Sequence, residues 1–375
     1  AVTVAGALRS ASLSGRNGRS FTHITGGRSN FVARPPALMP SVYKSRGVLP
    51  RNSQTGSEEA EGQTAKPMMN RSTSLDGFYC GLLRRLRRKG VPCAITGGLA
   101  CVEFGVVEHT EDCDLLCAPS AAETLLAALA VARFRGRGCR YRGAFGAPLA
   151  KPWLTGGWTS HFSWGESGGA NPFLDVFGVP PRVTGSWQRR VRGLYADRRT
   201  VAEMKRTRRR KDWDQATALG LQMLKAGHSD GWLHIFDAEV LLSLADSVPC
   251  PGRLQARRPV LRLALEQNRW LERAVQTEVE FWSHLDRLRL KIYESRGRDY
   301  ALAVMKDTRL KGAPLREQHA RRLELAEQLL PERPLRGYGL DRLVAQARQA
   351  TLTGLDPALA DFLPDVRLHF AGLMG

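Results

Sequence analysis

The sequence predicts an α/β protein: a small mixed β-sheet domain, a C-terminal all-helical domain, and a disordered basic leader. Three observations carry that expectation. Short apolar runs with acids at alternate positions, DCDLL at 112–116 and FLDVF at 173–177, read as strands. Apolar residues at helical spacing, such as Phe78, Leu82, Leu83 and Leu86, read as amphipathic helices between them. From Ser229 onward the patterns are helical. The expected divisions are 1–68, 69–228 and 229–375.

Residues 1–68 are rich in Ser, Gly, Arg and Pro, with little hydrophobic periodicity, and read as disordered. Their Arg- and Ser-rich character also resembles an organelle transit peptide. A cytoplasmic location is the first expectation, and organelle targeting is the alternative. Leu75 to Lys89 reads as a helix, with Ser74 as N-cap and Gly90 just past its end. Val91 to Thr96 reads as a strand and Leu99 to Phe104 as a helix, with Gly97 and Gly98 at the turn between them. Ser120-Ala-Ala-Glu123 reads as a capping box opening a helix over Thr124–Ala132, and Thr200-Val-Ala-Glu203 as a second one. The helix begun there is expected to continue to about Ala226. Trp153, Trp158 and Trp164 lie in a stretch expected to be a long surface loop.

With 375 residues, 43% of them hydrophobic, the chain can bury a sizeable core. No apolar run approaches the ~20 residues that span a bilayer, so no membrane partner is expected. The seven cysteines form no Cys-x-x-Cys pair. Their apolar surroundings suit reduced, buried thiols rather than structural zinc. The net charge of +20 is concentrated: residues 1–57 carry +8 and residues 182–211 carry +10. The second segment is therefore the expected surface for a polyanion such as RNA.

The stretch Thr96–Cys117 is where chemistry is expected. In a strand, residues i and i+2 share a face. Asp112 and Asp114 are then side by side, while Cys113, Leu115 and Cys117 enter the core. Neighbouring carboxylates repel, and a cation relieves that repulsion. Oxygen-only ligands favour Mg²⁺, which usually also holds substrate phosphates. Gly97 and Gly98 allow a phosphate to approach the backbone. A tight turn followed by a solvated acidic strand end is the alternative reading of the same residues. Asp175, within an apolar strand, needs a metal or a cationic partner.

The order of these motifs resembles the minimal nucleotidyltransferase fold: Gly97-Gly98-x-Ala100, Asp112-x-Asp114, Leu174-Asp175-Val176, then Met204-Lys205 and Arg210-Lys211-Asp212. It is most similar to the branch containing AbiEii-type toxins, over residues 75–226. The resemblance implies that Asp112, Asp114 and Asp175 are catalytic and bind Mg²⁺. It implies that Gly97, Gly98, Thr110, Lys205, Arg210, Lys211 and Asp212 hold the NTP. An RNA or other hydroxyl acceptor is expected, and a packing, acceptor-binding or protein-partner role for the helical domain. Two departures stand out: His109 replaces an arginine common in relatives, and Trp213-Asp214 follows Lys211-Asp212. They keep open a weakened relative that binds nucleotide or RNA, or acts as a scaffold.

Overall fold

The computed structural model describes residues 74–165 and 171–375. The leader, residues 1–68, lies outside these. Nine strands are present among the described residues. They are β1 (Cys93–Thr96), β2 (Asp112–Cys117), β3 (Arg133–Phe134), β4 (Arg137–Gly138), β5 (Arg140–Tyr141), β6 (Thr159–Ser163), β7 (Phe173–Phe177), β8 (Val191–Arg192) and β9 (Tyr195–Ala196). Seven of them form one mixed sheet in the order β5-β6-β7-β2-β1-β9-β8, while β3 and β4 pair as a separate ribbon. The central pair β2–β7 is parallel, and β1–β2 and β6–β7 are antiparallel.

Six helices accompany the sheet: α1 (Leu75–Arg88), α2 (Gly97–Glu103), α3 (Ala122–Val131), α4 (Lys151–Thr155), α5 (Arg198–Met204) and α6 (Arg210–Lys225). Helix α1 begins as its sequence requires, with the Ser74 hydroxyl accepting from the Gly77 amide at 3.1 Å. Its apolar stripe, Tyr79, Leu82, Leu83 and Leu86, is fully buried with Cys113, Leu115 and Cys117 of β2 in one core.

Both expected capping boxes are corrected. Pro119 starts a 3₁₀ turn over Pro119–Ala121, which absorbs Ser120, so α3 begins at Ala122 with no side-chain cap. In α5 the cap is Asp197, whose carboxylate accepts from the Thr200 amide at 2.8 Å. Glu203 is instead buried, accepting from the Thr184 hydroxyl at 2.6 Å. Asp197→Ala should cost about 1 kcal/mol and lower the Tm by a few degrees. An unchanged melting curve would return the capping role to Thr200. The expected continuous helix is broken between Lys205 and Arg209, where the chain turns to place Arg209 as the N-cap of α6.

The tryptophan stretch is not a surface loop. It forms α4 and β6, and all three indoles are buried. Each finds a carbonyl for its N–H: Trp153 donates to Leu330, Trp158 to Pro331 and Trp164 to Ala132. Two of these acceptors belong to the C-terminal half.

That half is helical throughout: α7 (Ala238–Ala245), α8 (Gly252–Arg257), α9 (Val260–Leu265), α10 (Leu271–Arg296), α11 (Arg298–Lys306), α12 (Leu315–Leu329), α13 (Pro334–Tyr338), α14 (Leu340–Leu352) and α15 (Arg367–Met374). No helix among the described residues is long and apolar enough to cross a membrane. The division expected at residue 228 falls inside one compact unit that contains every described residue. Trp153, Trp158 and Trp213 share a core with Phe281, Trp282 and Phe370. Charged ties cross it as well. Buried Arg182, after β7, donates to Asp286 of α10 at 2.5 Å. Arg206, after α5, lies over the Trp282 ring at 4.9 Å and donates to His369 of α15.

Candidate functional site

Register brings the predicted acids together. Across the parallel pair β2–β7, Asp114 stands opposite Asp175. Across β1–β2, Asp114 stands opposite Thr96, and across β6–β7, Asp175 stands opposite His161. Directly registered residues project to the same side of a sheet. Thr96, Asp114, Asp175 and His161 therefore form one row, and Asp112 lies on the same face two residues along β2.

The first residues of α2, directly after β1, press against that row. Gly97 has φ +63°, and a Cβ there would lie 1.7 Å from Asp114 Oδ2. A Cβ on Gly98 would lie 2.6 Å from Thr110 Oγ1. Gly97 is thus required twice, by its left-handed backbone and by its contact with a carboxylate.

The surroundings of the three acids shift their titration in different directions. Burial, and then the charge of Asp175, push the Asp114 carboxyl up to about 6. Partial desolvation and the same neighbour raise Asp112. For Asp175, burial also opposes ionisation, but the hydrogen bond and charge of His161, with the charge of Arg142, outweigh it and hold the group below its usual range. His161 Nδ1 and Arg142 Nη2 each donate to Asp175 Oδ1 at 2.7 Å. The Arg142 guanidinium also covers the Phe173 ring at 4.8 Å.

On the other side, the buried Lys205 ammonium donates to Asp212 at 3.2 Å. Asp212 also accepts from Thr207 at 2.5 Å and Arg209 at 2.7 Å. Burial opposes its charge, yet these cations and the hydroxyl keep Asp212 ionised and low. The positive charges of Lys205 and Arg209 favour the charged form of Asp114, and Arg209 does the same for Asp112. Arg210 and Lys211, expected at the phosphates, are exposed in the first turn of α6.

The donor set suits Mg²⁺ in a limited form. Asp112 and Asp114 make no hydrogen bond or ion pair among the described residues, so their oxygens are free. Two carboxylates, with waters and substrate phosphates, are an ordinary Mg²⁺ environment. The expected three-carboxylate cage is different. Asp175 Oδ1 is taken by Arg142 and His161, and no group of three His, Cys, Asp or Glu side chains among the described residues is placed to hold an ion. Asp175 is therefore a neighbour of the pair, already engaged by Arg142 and His161.

Arg142 and His161 escaped the sequence reading, and Arg209 entered it only as one cation of the basic segment 182–211. His161 had a signal: Thr159-Ser-His-Phe-Ser163 alternates as a strand, but the flanking tryptophans and glycines disguised it. Arg142 and Arg209 carried none, since each is one arginine among several. No protein-family model, curated protein or solved structure matches the chain.

Proposed function

We propose that this chain is a Mg²⁺-dependent nucleotidyltransferase of the minimal nucleotidyltransferase fold. It moves an NMP group from an NTP to a hydroxyl acceptor: a bond forms between the acceptor oxygen and the α-phosphorus, and pyrophosphate leaves. The observation that carries the reading is the row in which Asp114 faces Asp175, with Asp112 beside it and Gly97 pressed on the Asp114 carboxylate. A mixed sheet with a parallel central pair, and a strand-turn-helix ahead of the acids, supports the same fold.

Asp112 and Asp114 would hold the cation. When bound, Mg²⁺ would stabilise negative charge developing on the phosphates. Lys205 and Arg209 supply positive potential next to the acids, favouring a polyphosphate there. Asp175, held ionised by its two partners, is the nearby base that would accept the proton of the attacking hydroxyl. Gly97 and Gly98 keep side chains out of the space beside Asp114 and Thr110.

A second reading has its own observation. Asp175 and Asp212 are already neutralised inside the protein, as in a relative that binds nucleotide or RNA without transferring it. Incubation with each α-³²P-labelled NTP, Mg²⁺ and total RNA distinguishes the two. Labelled acceptor with pyrophosphate release supports the enzyme. NTP binding with no product across RNA, protein and small-molecule acceptors supports the binder.

A further inference from the structure

The polyanion surface expected at residues 182–211 is turned inward only in part: of its twelve cations Arg182, Lys205 and Arg206 are buried, while Arg189, Arg192, Arg208, Arg209, Arg210 and Lys211 are exposed. Arg182 is spent on Asp286, Arg190 and Arg199 on Glu203, and Lys205 and Arg209 on Asp212, while Arg206 is buried. A second basic stretch has a different character. Residues 124–165 contain five arginines and one lysine and no acid. Arg133, Arg135 and Arg137, on and between β3 and β4, are exposed and have no carboxylate partner among the described residues. Arg137, Gly138, Arg140 and Gly165 line an open cleft at this edge.

Register ties this edge to the acids. Arg140 stands opposite Ser163, Ser163 opposite Phe173, and Phe173 opposite Asp112. Arg140 therefore lies on the face that carries Asp112, three strand spacings away, or roughly 14 Å. Arg142, two residues on, reaches Asp175 itself. The next loop carries Phe145, 58% exposed. Gly146 anchors that loop against the site: a Cβ there would lie 2.5 Å from the His161 ring. An exposed aromatic ring thus stands just beyond an arginine track that ends at the candidate base.

We propose that this edge binds single-stranded nucleic acid, with Arg135 and Arg137 on the phosphates and Phe145 stacked on a base. Cations without a carboxylate partner, combined with an exposed aromatic ring farther along the same edge, are a recurrent means of holding single strands. An acidic protein would use the arginines but gain little from the ring. The surface deepens the nucleotidyltransferase reading, on which its role as the acceptor site rests: the strand's terminal hydroxyl would be led to Asp175.

The test uses the full chain and a fluorescein-labelled 12-nucleotide RNA of mixed sequence, without NTP or Mg²⁺, titrated by anisotropy at several salt concentrations. The leader is common to all variants and cancels in the comparison. Arg135→Gln/Arg137→Gln should weaken binding about tenfold and lower the magnitude of the log K against log salt slope by about 1.4. Phe145→Ala should weaken it at least fivefold with little change of slope, and Phe145→Tyr should restore it. Arg208→Gln/Arg210→Gln should have a smaller effect. Affinity and slope unaltered by the Arg135/Arg137 and Phe145 variants would overturn the proposal, as would a duplex bound more tightly than the single strand. If RNA binding responds as described but no nucleotide is ever transferred, the surface stands and the enzyme reading falls.

Discussion

Asp114→Asn is expected to abolish nucleotidyl transfer, by about a thousandfold or more, while making the metal-free protein more stable above pH 6. Both effects come from one partly buried carboxylate. Asn keeps the shape of the side chain next to Gly97 but loses the charge that would bind the cation. The stability effect follows from linkage. Asp114 titrates at about 6 in the folded protein, against about 3.9 in an unfolded chain. The folded state holds this proton more tightly. The contribution of Asp114 to stability therefore falls as the pH rises through the window from about 4 to 6. Below pH 4 both states are protonated and the charge penalty vanishes. The variant should match the wild type there and exceed it by on the order of 2 kcal/mol at pH 8. Mg²⁺ should raise the wild-type Tm at pH 8 and leave the variant's unchanged. Denaturant titrations at pH 4 and 8, with and without Mg²⁺, read out all of this. Wild-type turnover in the variant would remove Asp114 from the mechanism. A wild-type Tm indifferent to Mg²⁺ would remove the cation from the Asp112–Asp114 pair.

Gly97→Ala is expected to destabilise the fold by about 3 kcal/mol or more and to suppress activity in whatever remains folded. The methyl group would meet three atoms of Asp114 within 2.9 Å, including its Cβ, which no rotamer can move. The backbone at φ +63° adds its own cost. Gly98→Ala supplies the contrast. Its clash is with the Thr110 hydroxyl, at the end of a side chain that can rotate, and its φ is not positive. About 1 kcal/mol is expected there. Equal denaturation midpoints for the two variants would mean that the turn yields freely and that Gly97 does not define the space beside Asp114.

Much of the central sheet was legible because its signals are local. The period-two alternation of Asp112-Cys-Asp-Leu-Leu-Cys117 is a property of one strand, so it determined which residues enter the core and which two acids stand together. The Ser74 cap and the leucine stripe of α1 are local in the same way. Short strands such as β5, β8 and β9, two residues each, have too few positions to show a period. The buried tryptophans read as a loop because glycines surround them. Trp153 and Trp158 find their acceptors at the Leu330 and Pro331 carbonyls, more than 170 residues away.

By itself, the sequence determined the identity and facing of the two free carboxylates, the glycine turn before them and the helical character of the last third. Only the tertiary structure decided what each charge meets. Asp175, expected beside a metal, accepts from Arg142, just past β5, and from His161 of β6. Lys205 and Asp212 were expected at the phosphates and are paired with each other. Of the twelve cations in residues 182–211, expected on the surface, five are paired with Asp286, Glu203 and Asp212, and six are exposed. The reason is physical. Side-chain direction within a strand follows from backbone geometry one residue at a time, whereas a carboxylate's partner depends on the register of strands and the packing of helices distant in the chain. A charge that can be matched inside the protein is matched there, because burying it alone costs far more.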